Sequence, residues 1–326
     1  MRSAVAYLSE FSHAEIAPRS NAMQGPWSLL TTEKVFTNPW IGSWTANRLG
    51  LHVGRILLFD LLDRVRRTFH SAEQEDRRWI AELRREGVVA IPDFLPASRF
   101  AVVQGEILGV FRDCLKRFPP RNNHRPGFGA KEPFGEIGFD RFDGGTLNRF
   151  VKLSADLTPS TLETVRSKRF SRLYRAAQGR HFPLNAVSLY YTRHGPQSVH
   201  DLQKDLHSDT FHSSIKLWYF MADVPLEAGP FEYVRGSHLS TARRLAWEYR
   251  RSLAARHHPL DCGGAFRISE EEVQELGYPA PSPLAVAANT VVIADTNGFH
   301  RRGHAEEGAE RFAIYAAMRR SPFIPW

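Results

Sequence analysis

The chain is poor in cysteine. Only two of its 326 residues, Cys114 and Cys262, are cysteines. That excludes a disulfide framework and a cysteine-built zinc site, and it suits a reducing compartment. Long apolar stretches are missing too. A membrane span needs roughly 18 consecutive apolar residues, and the longest clean run, Phe312 to Met318, is far shorter. The N-terminal residues lack the order of charged, apolar and small residues that marks a signal peptide, so a cytoplasmic location is expected. There is no internal repeat and no low-complexity segment.

What is present is the composition of a soluble globular protein, with 42% hydrophobic and 24% charged residues. Aromatics reach 12%, enough for a large core or an aromatic-lined cavity. The formal charge is +8 and the pI about 9.7, which favours anionic partners. Nucleic acid is not expected among them, because no binding motif accompanies the charge. The basic residues, as in Arg64–Arg67 and Arg243–Arg251, are spread over segments that read as helices.

Residues 1–40 read as an irregular arm. From Ala46 to Phe69, apolar residues recur at three- and four-residue steps (Leu49, Val53, Ile56, Leu57, Leu61, Val65, Phe69), interleaved with arginines. Such a helix packs its apolar stripe on the rest of the protein, the first expectation, or lies on an anionic membrane surface. Residues 1–70 are thus an arm with an amphipathic helix, and 71–326 the main domain. Helices are expected over 73–86 (Ser71 and Gln74 at capping-box spacing, Gly87 as stop), 97–118, 160–178 (Thr158 as cap, Gly179 beyond the end) and 241–257. A further helix starts at Ser269, with Glu272 as capping-box partner and Gly277 as stop. Short β-rich runs are Val88–Ile91, Ala186–Thr192, Ile215–Val224, Phe231–Val234, Thr290–Ala294 and Arg311–Met318. Residues 121–149, rich in Gly, Asn and Pro, read as a long loop and candidate lid. Helices followed by many antiparallel-type strands give an α+β fold, a barrel or sandwich buttressed by N-terminal helices.

The chemistry lies in Leu206-His207-Ser208-Asp209-Thr210-Phe211-His212. Residues two apart on extended backbone point to one side, so His207 and Asp209 can reach one metal ion. By spacing alone His212 competes with His207, and the pair is equally a surface hydrogen-bonded couple. A third ligand is available in His300, after Asp295-Thr296-Asn297-Gly298-Phe299. Two histidines and one carboxylate on one face of an octahedron form the facial triad of non-haem iron(II) oxygenases. Arg311, eleven residues after His300, suits the distal carboxylate of 2-oxoglutarate, because its planar fork binds carboxylate in a bidentate manner and stays charged.

These residues are joined by Ile215-Lys216-Leu217-Trp218-Tyr219-Phe220-Met221-Ala222-Asp223-Val224 and by Gly229-Pro230-Phe231-Glu232-Tyr233-Val234-Arg235-Gly236-Ser237-His238. Together they resemble the phytanoyl-CoA dioxygenase superfamily of iron(II)- and 2-oxoglutarate-dependent oxygenases, over roughly 87–320. Arg235 departs from the pattern, where the family usually has proline. The resemblance implies a double-stranded β-helix (jelly-roll) core flanked by N-terminal helices. It implies His207, Asp209 and His300 as ligands of Fe(II), Arg311 as the 2-oxoglutarate anchor, O2 as the second co-substrate and a structural His238. Lys216 and Trp218 should share one strand face, and Trp218 is a candidate wall of the co-substrate pocket.

A closer resemblance is to bacterial Kdo hydroxylases, which act on a Kdo sugar of the lipopolysaccharide inner core. It rests on His207–His212, on Leu245-Ala246-Trp247-Glu248, on Asn289–Asp295 and on the C-terminal residues 319–326. It implies an anionic substrate, Kdo-lipid A, whose carboxylate could meet Arg301, Arg302 and His304, and peripheral contact of helix 46–69 with the inner membrane. Rival expectations are a hydroxylase of a small metabolite or natural-product intermediate, and a non-enzymatic cupin-like binding protein.

Overall fold

A computed structural model describes residues 25–68, 74–121, 125–178 and 186–318. Phe69, Ser71, Gly179 and residues 319–326, on which expectations fell, lie outside the described residues. The helices are α1 (Trp44–Arg48), α2 (Leu51–Thr68), α3 (Arg77–Glu86), α4 (Ala97–Arg117), α5 (Pro159–Arg166), α6 (Lys168–Gln178), α7 (Ala242–Ala254) and α8 (Glu270–Glu275). The strands are β1 (Val88–Ile91), β2 (Arg125–Phe128), β3 (Glu132–Phe134), β4 (Gly138–Gly144), β5 (Thr146–Lys152), β6 (Val187–His194), β7 (Ile215–Phe220), β8 (Phe231–Tyr233), β9 (Ser282–Pro283), β10 (Thr290–Asp295), β11 (His300–Arg302) and β12 (Glu310–Met318). All pair antiparallel. A nine-stranded sheet runs β1-β10-β7-β12-β6-β5-β4-β2 with β3 on β4, and a three-stranded sheet runs β11-β8-β9.

Side chains alternate across each strand, so the large sheet has two different faces. Its outer face offers Leu189, Tyr191, Leu217, Tyr219, Ile293 and Ile314. These pack against Ile80 and Leu83 of α3, Ile107 and Phe111 of α4, and Phe170 and Leu173 of α6 in one core. Its inner face offers Trp218, Phe220, Val292 and Ala313, which meet Phe231, Tyr233 and Leu284 across the gap to the small sheet. This is the jelly-roll arrangement, with helices on one side and an enclosed inner face on the other. The register aligns Arg311 with Thr192 and Tyr315 with Trp218 on that inner face.

Three expectations need correction. Residues 125–152 are four strands, not a loop. Their apolar periodicity is hidden because inward positions carry Arg141, Asp143 and Asn148, which satisfy one another: Arg141 donates to Asp143 at 2.8 Å and Asn148 to Asp143 at 2.9 Å. The 160–178 helix is two, α5 and α6, broken at Ser167, whose backbone is extended. The 46–69 helix is also two, with Gly50 at φ 94° between them.

That last helix also packs by a different face than expected. The buried side of α2 carries His52, Arg55, Ile56 and Phe59, while Leu49, Leu57, Leu61 and Val65 of the expected stripe are exposed. Hydrogen bonds make this inversion tolerable. His52 Nε2 meets Glu248 at 2.9 Å, and Arg55 donates to the carbonyls of Leu29, Thr31 and Glu33 at 3.1, 3.0 and 2.6 Å. Burial still lowers the Arg55 pKa to about 10, against the pull of Glu33.

A second buried ion pair holds β4 to β5. Arg149 is fully buried, donates to both oxygens of Asp140 at 2.7 Å and reaches the Phe118 carbonyl at 2.6 Å. Removing one partner strands a buried charge, at a cost of about 3–5 kcal/mol. Arg149→Met is therefore expected to lower the urea midpoint by an amount worth about 3 kcal/mol or more. An unchanged midpoint would remove this pair from the account of stability.

Candidate metal centre

Two segments far apart in sequence are tied by backbone. The His207 N–H donates to the His300 carbonyl, and the His300 N–H to the His207 carbonyl, both at 3.0 Å. The Asp209 N–H donates to Thr296 at 2.8 Å. The turn that delivers His300 is braced in turn. The Asp295 carboxylate accepts from Ser213 Oγ at 2.6 Å and Ser214 N at 2.9 Å, and Tyr233 donates to the Asp295 carbonyl at 2.7 Å. Gly298 is required there, because a Cβ would lie 1.9 Å from the Tyr233 hydroxyl. Arg244 donates to the carbonyls of Ser237 and Asn297 at 2.7 and 3.1 Å, and its charge is met by Glu248 at 2.8 Å. No local pattern marks Arg244 as part of a site, because Ser237 and Asn297 are brought to it only by folding.

One ligand atom each from His207, Asp209 and His300 lies within 4.8 Å of the other two. Nε2 of each histidine stands 3.8 Å from an Asp209 oxygen. The other ring nitrogens are committed: Nδ1 of His207 faces the Asp205 carbonyl at 2.7 Å, and Nδ1 of His300 the Gly298 carbonyl at 2.9 Å. A carbonyl only accepts, so Nδ1 carries the proton and both Nε2 lone pairs converge. Burial lowers the pKa of both rings, His300 to about 4, which keeps them neutral. Burial alone would raise the Asp209 carboxyl, but the Lys216 ammonium beside it holds it well below the usual range. Lys216 lies 2.5 Å from Asp209 Oδ2. Two neutral imidazoles and a carboxylate converging on one point fit a divalent iron.

Arg311 lies on the inner face, buried, with Nη1 donating to the Gly229 carbonyl at 2.6 Å. Its Nε has no hydrogen-bond partner, and among the described residues no carboxylate is within ion-pair distance. Thr192, its partner across the strands, and His194 two residues on also hold buried polar atoms without partners. Burial, with Arg302 nearby, lowers the Arg311 pKa to about 10. A buried cation with unmet donors around it fits a carboxylate. An aromatic wall runs from the triad towards it: Phe231 is 5.3 Å from His300, Trp218 4.9 Å from Phe231, Tyr315 5.7 Å from Trp218 and Tyr190 5.4 Å from Tyr315. Trp218 and Lys216 share this face.

Other residues singled out from sequence fall elsewhere. His212 turns away and packs on Phe59 at 5.0 Å. His238 accompanies the Arg84 carbonyl at 3.1 Å. Arg301 and Arg302 are not left free for a substrate carboxylate. Arg301 pairs with Glu232 and Glu270 at 2.6 and 2.7 Å, while Arg302 pairs with Asp201 at 2.5 Å and donates to Asn148 at 2.8 Å. His304 is exposed. The cation missed from sequence is Arg267, bridged backbone to backbone with His207, with its Nε lacking a partner.

The fold is a jelly roll, and the donor set of His207, Asp209 and His300 could hold a metal ion. The chain belongs to the phytanoyl-CoA dioxygenase family, whose model matches residues 83–275. It is an iron- and 2-oxoglutarate-dependent enzyme that uses O2. His300 and Arg311 lie beyond the matched span. No curated protein matches the chain. Similar solved structures include the non-haem, 2-oxoglutarate-dependent epimerase SnoN from nogalamycin biosynthesis (15% identity, 74% of this chain and 80% of that one, TM-score 0.41). Others are AviO1 from Streptomyces viridochromogenes Tue57 (15%, 76% and 96%, 0.45) and HygX from Streptomyces hygroscopicus with nickel and 2-oxoglutarate bound (15%, 76% and 87%, 0.38). The likeness is distant.

The depressed histidines have a measurable consequence. Between pH 6.5 and about 4 the unfolded chain protonates His300, which burial keeps neutral in the fold. Stability of the metal-free protein is therefore expected to fall as the pH drops through that window, with His194, lowered to about 2, acting in the same direction. Urea unfolding at stepped pH checks this: His300→Asn should flatten part of the slope, and a profile already flat in the parent protein would contradict it.

Proposed function

We propose that the protein hydroxylates a C–H bond of an anionic substrate, with His207, Asp209 and His300 holding iron(II) and Arg311 anchoring the distal carboxylate of 2-oxoglutarate. The observation that carries this reading is Arg311, a buried guanidinium with no carboxylate within ion-pair distance among the described residues, on the inner face that also carries Lys216 beside Asp209. When bound, iron and 2-oxoglutarate supply the oxidation: one oxygen atom of O2 goes to the co-substrate, which leaves as succinate and CO2, and the other enters the C–H bond as C–OH.

The chain's residues supply geometry and charge. The Asp205 and Gly298 carbonyls fix the tautomers of His207 and His300. Lys216 holds one oxygen of Asp209, which orients the carboxylate and balances its charge. Trp218, Phe231 and Tyr315 form an apolar wall that excludes water between triad and anchor. Arg267, directly across from His207, takes the role first expected of Arg301 and Arg302 and binds the substrate's anionic group.

Within that class the substrate we favour is a Kdo sugar of the lipopolysaccharide inner core. Its support is the resemblance of His207–His212, Leu245–Glu248 and Asn289–Asp295 to bacterial Kdo hydroxylases, together with Arg267, whose Nε has no hydrogen-bond partner among the described residues. Succinate release by iron-loaded protein, with and without Kdo-lipid A, tests both levels. Stimulation by the lipid that disappears in Asp209→Ala is the expected result. Turnover without stimulation keeps the oxygenase and removes the Kdo reading in favour of a small-metabolite hydroxylase. Equal turnover in Asp209→Ala overturns the ligand set, and failure to bind iron leaves a cupin-like binding protein.

A further inference from the structure

Nine of the twelve large apolar side chains that are exposed among the described residues fall between Trp27 and Val65. They include three tryptophans, Trp27, Trp40 and Trp44, and the i, i+4 ladder Leu57, Leu61 and Val65 along α2. Exposed apolar residues scattered singly are ordinary, whereas a concentration in one short unit marks a contact surface. Nor is α2 a helix whose apolar face lost its place in the core. It is docked by its polar side, through His52 on Glu248 and Arg55 on three carbonyls, which leaves the leucines facing outward.

The charges around this surface are of one sign. α7 packs beside α1 and α2, and Tyr249 of α7 donates to the Arg48 carbonyl at 3.1 Å. Among residues of these three helices whose side chains are described, every exposed charged residue is an arginine: Arg48, Arg64, Arg243 and Arg250. The acidic residues there, Asp60, Asp63 and Glu248, are partly or wholly buried. Arg48 lies over the Trp44 ring, 5.1 Å from its centroid. Leucine on the outer face, tryptophan at its border and arginine without exposed carboxylate match the interfacial zone of an anionic bilayer: apolar side chains enter the acyl boundary, indole rings sit at headgroup level and guanidinium groups meet lipid phosphate. No described helix is long and apolar enough to cross a membrane, so contact would be from one side.

We infer that α1, α2 and the flanking arginines of α7 seat this protein on the surface of an anionic membrane. The seat lies close to the metal centre. Phe59 of α2 stacks at 5.0 Å on both Phe211 and His212, and Lys34 donates to the Asp209 carbonyl at 2.5 Å, so the membrane-facing layer touches the segment that carries Asp209. An amphiphilic substrate would approach from that side.

The test needs no substrate and no turnover, so it is independent of the proposed reaction. The full-length protein is sedimented with vesicles of phosphatidylcholine alone and of an equimolar mixture with phosphatidylglycerol. Binding to the mixed vesicles that weakens with salt is expected, and Leu57→Glu/Leu61→Glu should reduce it at least about tenfold, because each change places a charge in the acyl boundary. Both positions are exposed, and an unchanged thermal unfolding curve shows that the variant is folded. Arg243→Glu/Arg250→Glu should remove the preference for phosphatidylglycerol. Three outcomes would overturn the inference: no binding by the parent, equal binding by the leucine variant, or a dimer in light scattering that the leucine variant dissolves, which would make the patch a contact between copies of this chain.

Discussion

Two backbone hydrogen bonds between His207 and His300 are the constraint on which the site depends. They join the segment before β7 to the start of β11, so that the chain leading into the large sheet is tied to the small one. The candidate ligands His207 and His300 stand on this bridge and not on free loops. Asp295, Tyr233 and Arg244 brace it: the Asp295 carboxylate accepts from the backbone of Ser214 and Asn297, Tyr233 donates to the Asp295 carbonyl and Arg244 to the Asn297 carbonyl. A site built this way is organised before metal arrives: the rings are neutral, their tautomers set and the carboxylate ionised.

The same inner face carries an uneven distribution of charge. Acidic residues deep in the barrel are paired, as Asp143 and Asp201 are with Arg141 and Arg302. Among the described residues neither Arg311, which is buried, nor Arg267, which is half-buried, has a carboxylate within ion-pair distance. An unpaired buried cation is costly unless something negative completes it. Two such positions, one along the aromatic wall and one beside His207, match the two anions of the proposed reaction: a dicarboxylate co-substrate and an anionic substrate.

Much of this was legible in the sequence where side-chain character follows burial. The strands that pack on helices, β6, β7, β10 and β12, announced themselves through β-branched and aromatic residues, and His207-Ser208-Asp209 with His300 gave the triad. Legibility failed where polar residues face inward. β4 and β5 carry Asp143, Asn148 and Arg149 in buried positions and Arg141 in a half-buried one, so their alternation was invisible and they read as a loop. On α2 apolar periodicity marked the wrong face, because His52 and Arg55 find partners from Glu248 and the Leu29–Glu33 segment that no local pattern reveals. Arg301 and Arg302 looked like substrate ligands by proximity to His300, while their carboxylates come from Glu232, Glu270 and Asp201.

The most direct measurement is anaerobic titration of 2-oxoglutarate into the iron(II)-loaded protein, followed by the visible absorption of the ternary complex, in the parent and in Arg311→Ala. Loss of a charge-assisted pair to a buried carboxylate should weaken 2-oxoglutarate binding by about 10- to 100-fold while leaving iron binding intact. Unchanged 2-oxoglutarate affinity in Arg311→Ala would contradict the account, because the buried guanidinium would then serve some purpose other than holding the co-substrate.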